Sequence, residues 1–342
     1  MKKTLIQHYL FILFGVSFLT AFSQDNASLR FEDKVRIREA MDISKKFGDS
    51  IWDGFNKPPF TIILVTDDYE YLINHPYPSK DFKLLGDDEF LNAKVHFRPQ
   101  QFSKSFLATF PAVNGVNCIV IGTPENTGLN STQWIITLLH ERFHQYQYTS
   151  PNYHKEALAL GLSNGDESGM WQLNYPFPYE GKLVNKKYEK YTRYLVKAVE
   201  NRTSKNWDRV YRKLMKRKNN FKKALSKNDY KYISFQWYQE GVARYTEYAF
   251  LELLQNYQPS KEVLSLNNFI SFSDYKDQFY SKHIANVVRL KLSEIKRVTV
   301  YDVGFSEALI VEKQNPNWKK MYLKEKFNLD KLYKLLSIYQ QK

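Results

Sequence analysis

The segment TLLHERFHQYQ, residues 137–147, contains the side chains with the clearest chemical potential in this sequence. His140 and His144 are four positions apart. On an α-helix this spacing is about 40° of rotation and about 6 Å of rise, so both imidazoles can project from one face. That face can hold one metal ion through two ring nitrogens, and Glu141, one position round the helix, can accept a proton from water at the metal. A pair of hydrogen-bonded histidines in the protein core is the alternative.

A catalytic zinc ion needs three protein ligands and an open position, so the third ligand must come from another segment. Glu240, in WYQEGVARYTE (237–247), is the candidate because it lies in a helical segment flanked by apolar residues. Gly241 is expected to let that segment approach the first helix closely. The first helix itself is predicted to begin with Ser131 or Thr132 as its cap and to bury an apolar side.

Glu247 follows Glu240 by seven residues, or two helical turns, and therefore returns to the same helix face. It could accept a hydrogen bond from the outer ring nitrogen of a ligand histidine, a contact that zinc sites usually contain. A solvated or ion-paired couple of glutamates is the alternative, although neighbours such as Trp237 and Val242 argue against full exposure of this helix.

Together, HERFH and WYQEGVARYTE resemble the gluzincin metallopeptidases, which include thermolysin-like and aminopeptidase-N-type enzymes. The resemblance covers two short segments and the order of elements. It implies that His140, His144 and Glu240 bind Zn²⁺. It also implies that Glu141 is the general base of peptide hydrolysis by zinc-activated water, and that Glu247 matches the acid at the end of the second motif. In that group a small sheet precedes the active-site helix, and its edge strand binds the substrate backbone.

Gluzincins also use a tyrosine or histidine to stabilise the oxyanion of the tetrahedral intermediate. Tyr301 is chosen for this role because Asp302 and Gly304 suggest a structured turn before a helix; a packing tyrosine is the alternative. Arg142 places a charge inside the motif, where it is expected to point to solvent or to pair with an acid. A G-x-M-E-N-like exopeptidase segment is absent from the sequence, which counts against aminopeptidase activity.

The first residues, MKKTLIQHYLFILFGVSFLTAFSQ, have the three parts of a secretory signal peptide. Two lysines precede an apolar run of 14 residues, 9–22, which is short for a membrane span of roughly 20 residues. Ala21 and Ser23 fit a cleavage site before Gln24. The prediction is a signal peptide over residues 1–23 and a secreted or periplasmic mature chain without stable membrane insertion. An uncleaved anchor is the alternative.

Hydrophobic content of 43% with 16% aromatic residues indicates a folded globule, and residues 24–342 are predicted to form a single zincin-like catalytic domain. Three apolar, β-rich runs predict strands, at 59–67, 92–99 and 117–124. From residue 131 the pattern is helical. We therefore expect an α+β fold, with a small mixed sheet in 24–130, an edge strand above the active-site helix, and a mainly helical part in 131–342 that carries the metal site.

The chain has a net charge of +14, and the excess of lysine and arginine lies between residues 182 and 231. We interpret this segment as a solvated helical face that favours anionic surfaces. No zinc-finger, homeodomain or RNA-binding signature accompanies it, which argues against a nucleic-acid partner. Cys118 is the only cysteine, so the chain has no internal disulfide, and it is predicted to be a small core residue in a strand.

The sequence therefore predicts a secreted or periplasmic zinc-dependent hydrolase, most simply a metallopeptidase acting on a peptide or protein substrate. The alternative is a catalytically inactive zincin-like protein that binds an anionic polymer or a protein partner. A nucleic-acid or membrane-surface binder is a third and weaker possibility.

Overall fold

The computed structural model of the protein describes residues 27–333. The predicted signal peptide, residues 1–23, and its cleavage site before Gln24 lie outside the described residues. Between residues 27 and 333, none of the helices combines the length and the apolar character that a bilayer crossing requires.

One mixed sheet occupies the first half of the described chain. Its strands are β1 (Ile62–Val65), β2 (Tyr69–Ile73), β3 (Lys83–Asp88), β4 (Ala93–Pro99), β5 (Leu107–Val113) and β6 (Val116–Gly122). Their order across the sheet is β3-β4-β2-β1-β6-β5. β1 and β6 pair in parallel and the other neighbours pair antiparallel. The small mixed sheet predicted from the sequence is therefore confirmed.

The apolar runs predict three of the four inner strands, β1, β4 and β6. β1 has the sequence IILV, and all four of its residues are fully buried, as expected for a strand covered on both faces. Cys118 lies in β6 and is fully buried, as predicted for a core residue. Burial raises the pKa of its thiol to about 12, so the thiolate that a nucleophile needs is scarce at neutral pH.

The edge strand β5 is not among the predicted strands, and neither are β2 and β3. β5 has the sequence LATFPAV, in which Pro111 removes a backbone donor and weakens any strand prediction. An edge position tolerates proline because one side of the strand needs no partner. Asn114 and Gly115, with φ of 46° and 75°, form the tight turn that returns the chain to β6.

Helices form most of the remaining described chain, in agreement with the predicted helical half. They are α1 (Phe31–Ile51), α2 (Pro124–Thr127), α3 (Ser131–Gln147), α4 (Tyr153–Leu158), α5 (Trp171–Asn174), α6 (Lys182–Glu200), α7 (Trp207–Lys222), α8 (Lys227–Gln236), α9 (Val242–Leu253), α10 (Lys261–Leu264), α11 (Phe272–Arg289), α12 (Leu292–Ile295), α13 (Thr299–Gln314), α14 (Trp318–Tyr322) and α15 (Leu329–Tyr333). A π-helical turn, Trp237–Gly241, joins α8 to α9, and 3-10 turns cover Leu254–Asn256 and Lys296–Val298.

α3 lies between the sheet and the helical half. It packs against β5 and β6 on one side and against α1 and α9 on the other, so nearly all of its residues are buried. A capping box starts it: the Asn130 side chain accepts a hydrogen bond from the Gln133 backbone, and the Gln133 side chain accepts one from the Asn130 backbone. The predicted cap at Ser131 or Thr132 is therefore one or two residues too late.

The π-helical turn approaches α13 through a pair of glycines. A Cβ added to Gly241 would lie 2.3 Å from the Gly304 Cα, and one added to Gly304 would lie 2.6 Å from the Gly241 Cα and 2.9 Å from the Trp237 carbonyl oxygen. The prediction that Gly241 lets its segment approach the first helix is wrong, since the close contact is with α13. This contact fixes the π-helical turn, and with it Glu240, against α13.

Replacing Gly304 by alanine should lower the free energy of unfolding by about 1–3 kcal/mol, because the new methyl group meets backbone atoms that cannot rotate away. Urea unfolding measures this change. Asn219→Ala, at an exposed position of α7, is the matched control and should stay within about 0.5 kcal/mol of the wild type. A Gly304→Ala protein as stable as this control would contradict the packing argument.

Candidate metal centre

α3 presents His140 and His144 on the face that meets α9. Their ring centroids are 5.0 Å apart, and each residue is 5% exposed. Burial of two imidazoles is costly unless every ring nitrogen has a partner. The contacts of these four nitrogens therefore indicate what the site can hold.

The π-helical turn places Glu240 opposite both rings. Its Oε2 lies 3.6 Å from His140 Nε2 and 3.4 Å from His144 Nε2. The residue is 7% exposed. A π-helical turn adds a residue to the helical circuit and is often found at functional sites, because it redirects a side chain that regular helix would place elsewhere.

The distances from Glu240 Oε2 to the two Nε2 atoms distinguish a direct hydrogen bond from coordination of a shared metal ion. A charge-assisted N–H···O bond measures about 2.7–2.9 Å, and His140 Nδ1 lies only 2.5 Å from Glu247 Oε1. Ligand atoms that bind a tetrahedral ion at about 2.0–2.2 Å lie about 3.3–3.6 Å from one another. The contacts of Glu240 match the second geometry. Two imidazoles and a carboxylate are also a donor set that zinc accepts, so the residues fit a zinc ion.

Glu247, on α9, fixes the tautomer of His140. An ionised carboxylate can only accept, so the 2.5 Å contact places the proton on His140 Nδ1 and leaves the lone pair of Nε2 facing Glu240. Arg244 donates to Glu247 Oε2 at 2.9 Å. Burial opposes a charge on Glu247, but Arg244 and His140 hold its pKa below the ordinary value.

Gln147 fixes the tautomer of His144 in the same way. Its Nε2 donates to the Gln239 carbonyl oxygen at 3.1 Å, and a carbonyl can only accept. The amide oxygen must therefore face His144, whose Nδ1 lies 2.6 Å away and donates to it. His144 Nε2 is thereby left as an acceptor. Sequence analysis missed Gln147, although its position three residues after His144 on the same helix could have suggested the contact.

Arg297, in the 3-10 turn before α13, is a second residue that sequence analysis missed. Its Nη2 donates to Glu240 Oε1 at 2.8 Å, and its Nη1 lies 3.4 Å from the Tyr301 hydroxyl. Burial opposes a charge on Glu240, but His144 and Arg297 hold its pKa well below the ordinary value. Because Arg297 occupies Oε1, Oε2 is the oxygen of Glu240 that remains for a metal ion.

The carboxylates around His140 attract positive charge to its ring. Burial lowers the pKa of His140, but Glu240 and Glu247 raise it to about 9. A proton and a metal ion therefore compete for the same Nε2 atom, as expected at a site whose ligands must be deprotonated to coordinate.

Glu141 extends from α3 towards the edge strand β5. The Thr109 hydroxyl lies 2.8 Å from Glu141 Oε2 and 3.0 Å from its backbone carbonyl oxygen, and it can donate to either. Glu141 Oε1 has no hydrogen-bond donor among residues 27–333. Potential ligand atoms of His140, Glu141 and His144 lie within 4.8 Å of one another. By proximity alone, Glu141 could also serve as the third ligand.

Two tyrosines border the site. The ring of Tyr301 lies 6.0 Å from that of His140, and burial, followed by Glu240, raises the pKa of its hydroxyl above the ordinary value. Tyr148, at the C-terminal cap of α3, stacks against His144 at 6.4 Å and donates to the Thr109 carbonyl oxygen at 3.3 Å. Burial raises the pKa of Tyr148 as well. Sequence analysis selected Tyr301 and missed Tyr148, although Tyr148 follows His144 by four residues.

The side chain of Arg142 does not enter the metal centre. It is 2% exposed, and it neither reaches solvent nor pairs with an acid, so the prediction of one or the other is wrong. Its guanidinium donates to the carbonyl oxygens of Phe55, Pro58 and Pro59 and to Gln145 Oε1, at 2.7–3.1 Å. Arg142 thus binds the loop after α1 to α3, and these acceptors offset the cost of burying its charge.

His154, on α4, is a further histidine near the site. Its ring packs 4.9 Å from that of Tyr148, and burial lowers its pKa. It is not part of the cluster of ligand atoms. His283, on α11, is held by Asp302 through a 2.6 Å contact.

No family model matches the chain, and comparisons with curated proteins and with solved structures found no match. The functional conclusion therefore depends on the geometry of this site.

Replacing Arg142 by methionine should leave the Phe55, Pro58 and Pro59 carbonyls without their donor and should lower the free energy of unfolding by about 2–4 kcal/mol. Zinc content should not change, because the side chain lies away from the ligand atoms. Urea unfolding and metal analysis of the same preparation test both statements. Loss of zinc from a folded Arg142→Met protein would show that the residue belongs to the metal centre.

Replacing Glu247 by alanine should weaken zinc binding roughly 10–100-fold, because His140 loses the acceptor that fixes its tautomer and orientation. Competition with a chromophoric chelator measures the dissociation constant. Glu252→Ala, at an exposed acid of the same helix, is the matched control and should bind zinc as the wild type does. Equal zinc affinities for both variants would show that Glu247 does not contribute to the site.

Proposed function

We propose that the protein is a zinc metallopeptidase with a gluzincin-type site, in which His140, His144 and Glu240 hold the metal. The observation that supports this most strongly is the convergence of two imidazole Nε2 lone pairs on Glu240 Oε2, at 3.6 and 3.4 Å. Glu247 and Gln147 fix both rings from behind, so the two Nε2 atoms are free to coordinate. Zinc bound here would supply Lewis acidity and an acidified water.

Glu240 is the better third ligand and Glu141 the better proton acceptor. Glu240 Oε2 is nearly equidistant from the two rings, and Arg297 holds the other oxygen. Glu141 is oriented by Thr109 through one oxygen, while Oε1 has no donor in the described chain. We therefore assign Glu141 as the general base, which takes a proton from the attacking water and passes it to the leaving amine.

Tyr301 and Tyr148 are the candidates for stabilising the negative charge that develops on the substrate oxygen. Burial raises the pKa of both hydroxyls, so each keeps its proton and can donate a hydrogen bond at neutral pH. In its 3.4 Å contact with Arg297 the Tyr301 hydroxyl accepts, because a guanidinium can only donate, so the hydroxyl proton stays available.

The outer edge of β5 offers a place for a peptide backbone. The Gly122 backbone donates to the Phe106 carbonyl oxygen, so the alternation of an antiparallel pair directs the backbone groups of Leu107 and Thr109 away from β6. An extended peptide can add to such an edge as a further strand. The Thr109 hydroxyl contacts Glu141, so a peptide bound at this edge would lie next to the proposed base. This arrangement supports a peptide or protein substrate.

Two observations favour a second candidate, a zincin-like protein that binds a partner without cleaving it. His140, His144 and Glu240 are all at most 7% exposed. In addition, the Tyr148 hydroxyl already bonds the Thr109 carbonyl oxygen, which is the group that a substrate strand would pair with. Such a protein would contain zinc and would show no Glu141-dependent peptidase activity. With the signal-peptide-like start of the sequence, we propose that either form acts after export, in the periplasm or outside the cell.

Metal analysis of the purified mature chain tests the ligand assignment. We expect stoichiometric zinc in the wild type and in Glu141→Gln, and little or none in His144→Ala and Glu240→Ala, because each of these loses one of three ligands. His154→Ala, a histidine close to but outside the cluster, is the matched control and should keep its zinc. Equal zinc in all variants would refute the site. Zinc lost in Glu141→Gln but kept in Glu240→Ala would show that Glu141, and not Glu240, is the third ligand.

Cleavage of a peptide library tests the reaction. The wild type should cleave, and Glu141→Gln should be slower by at least about 100-fold at unchanged zinc content, because it lacks the proton acceptor. No cleavage by a wild-type protein that contains zinc would favour the non-catalytic candidate.

A further inference from the structure

α6 and α7 form an antiparallel pair, here called the basic hairpin, that contains the excess positive charge of the protein. Residues 182–231, which run from α6 through α7 into α8, contain eighteen lysines and arginines and four acidic residues, a net charge of +14 that equals that of the whole chain; α6, α7 and the loop between them carry +12 of it. The rest of the sequence is therefore neutral overall. The charge is a local property of this surface, on an outer part of the helical half.

The cations of α7 form one stripe opposite its buried face. Buried residues recur at helical spacing and pack against α6; they are Trp207, Val210, Leu214, Lys218 and Phe221. At 100° per residue the exposed cations centre about 160° away from that face, so they point outward from the protein. They are Arg209, Arg212, Lys213, Lys216 and, at the C-terminal cap of the helix, Lys223; Lys222 is also exposed but lies to one side of this row.

α6 repeats this arrangement. Its exposed cations follow one another at intervals of three or four residues and also lie opposite the buried face of the helix. They are Lys182, Lys186, Lys190, Arg193 and Lys197. The basic hairpin therefore presents two rows of cations, each about 20 Å long at 1.5 Å per residue.

Few acidic residues neutralise these rows. Within residues 27–333, the ten cations of the two rows have one ion pair, a 3.8 Å contact between Arg193 and Glu189 on the exposed surface, and Lys222 beside them pairs with Asp330 at 3.7 Å. Like charges three and four residues apart destabilise a helix by a few tenths of a kcal/mol per pair, so the rows oppose folding unless an anion covers them.

Contacts of its buried face keep α7 in place in spite of the repulsion between its exposed cations. Lys218 is 3% exposed and pairs with Glu307 at 2.5 Å and with Asp330 at 2.7 Å. The ring of Phe221 stacks on that of Tyr191 at 5.7 Å. The outward cations therefore have no part in anchoring the helix, and a partner can contact them without disturbing the core.

We infer that the basic hairpin is a binding surface for an anionic polysaccharide, independent of the zinc site. The rows are narrow and long, which suits a linear polyanion. No aromatic side chain of α6 or α7 is exposed, so the surface lacks the stacking contacts that single-stranded nucleic acids use. Leu183 is the one exposed apolar residue on these two helices, too little for insertion into a bilayer. The export proposed above would bring this surface to the compartment where polysaccharides lie.

The test measures binding of the mature chain to heparin and to polygalacturonate, with neutral dextran as the uncharged polymer, over a series of salt concentrations. Both anionic polymers should bind, with affinity that falls linearly in log salt, and dextran should not. The variant Arg209→Gln, Lys213→Gln, Lys216→Gln, Lys223→Gln should lose about 100-fold in affinity, since each cation near an anionic surface contributes about fivefold before screening. Its zinc content and peptidase rate should not change, which separates this inference from the proposed function.

The matched control removes the same charge from elsewhere. Lys45, Lys57, Lys80 and Lys94 are exposed lysines of the first half without ion pairs in the described chain, and their replacement by glutamine should change affinity by less than about threefold. An equal loss in both variants would show that only net charge matters and would overturn the inference. So would absence of binding at physiological salt, or tighter binding to oligothymidylate or to phosphatidylglycerol vesicles than to either polysaccharide.

Discussion

The candidate metal centre depends on how negative charge is balanced in a volume with little water. Glu141, Glu240 and Glu247 are each at most 7% exposed, and two guanidinium groups contact them, Arg297 at Glu240 and Arg244 at Glu247. A buried carboxylate is costly unless a cation or several donors compensate it. The remaining negative charge lies beside two Nε2 lone pairs. The site therefore favours a cation, which is either a proton on His140 or a metal ion held by both rings.

α13 and the turn before it determine where Glu240, the proposed third ligand, lies. The backbone of the π-helical turn packs directly against Gly304, and Arg297 donates a hydrogen bond to Glu240 Oε1. Tyr301, between them in sequence, brings its hydroxyl to the same place. Residues 297–304 thus set the position, the orientation and the charge of Glu240, although none of them would need to contact a bound metal ion.

Much of the fold follows from local sequence pattern, and its exceptions have physical causes. The buried strands β1 and β6 are continuous apolar runs, and the helices after residue 131 follow the 3.6-residue period. β5 could not be predicted, because Pro111 and the weak alternation of apolar and polar residues give no strand signal. This strand forms because it pairs with β6 and packs on α3. This strand supplies Thr109, so the contact that orients Glu141 was also hidden from a sequence reading.

The sequence by itself determined that His140 and His144 share one face, because helical periodicity is a local property of the chain. It predicted a second shared face for Glu240 and Glu247 but not the π-helical turn that sets the direction of Glu240. It also placed Gln147 and Tyr148 within reach of His144, although neither was identified. Only the tertiary structure decided that these two faces meet, with Glu240 Oε2 within 3.6 Å of both rings. It also decided that Arg142 points away and that Arg297, 57 residues from Glu240, completes the site. Such contacts depend on the packing of distant helices, which no local spacing encodes.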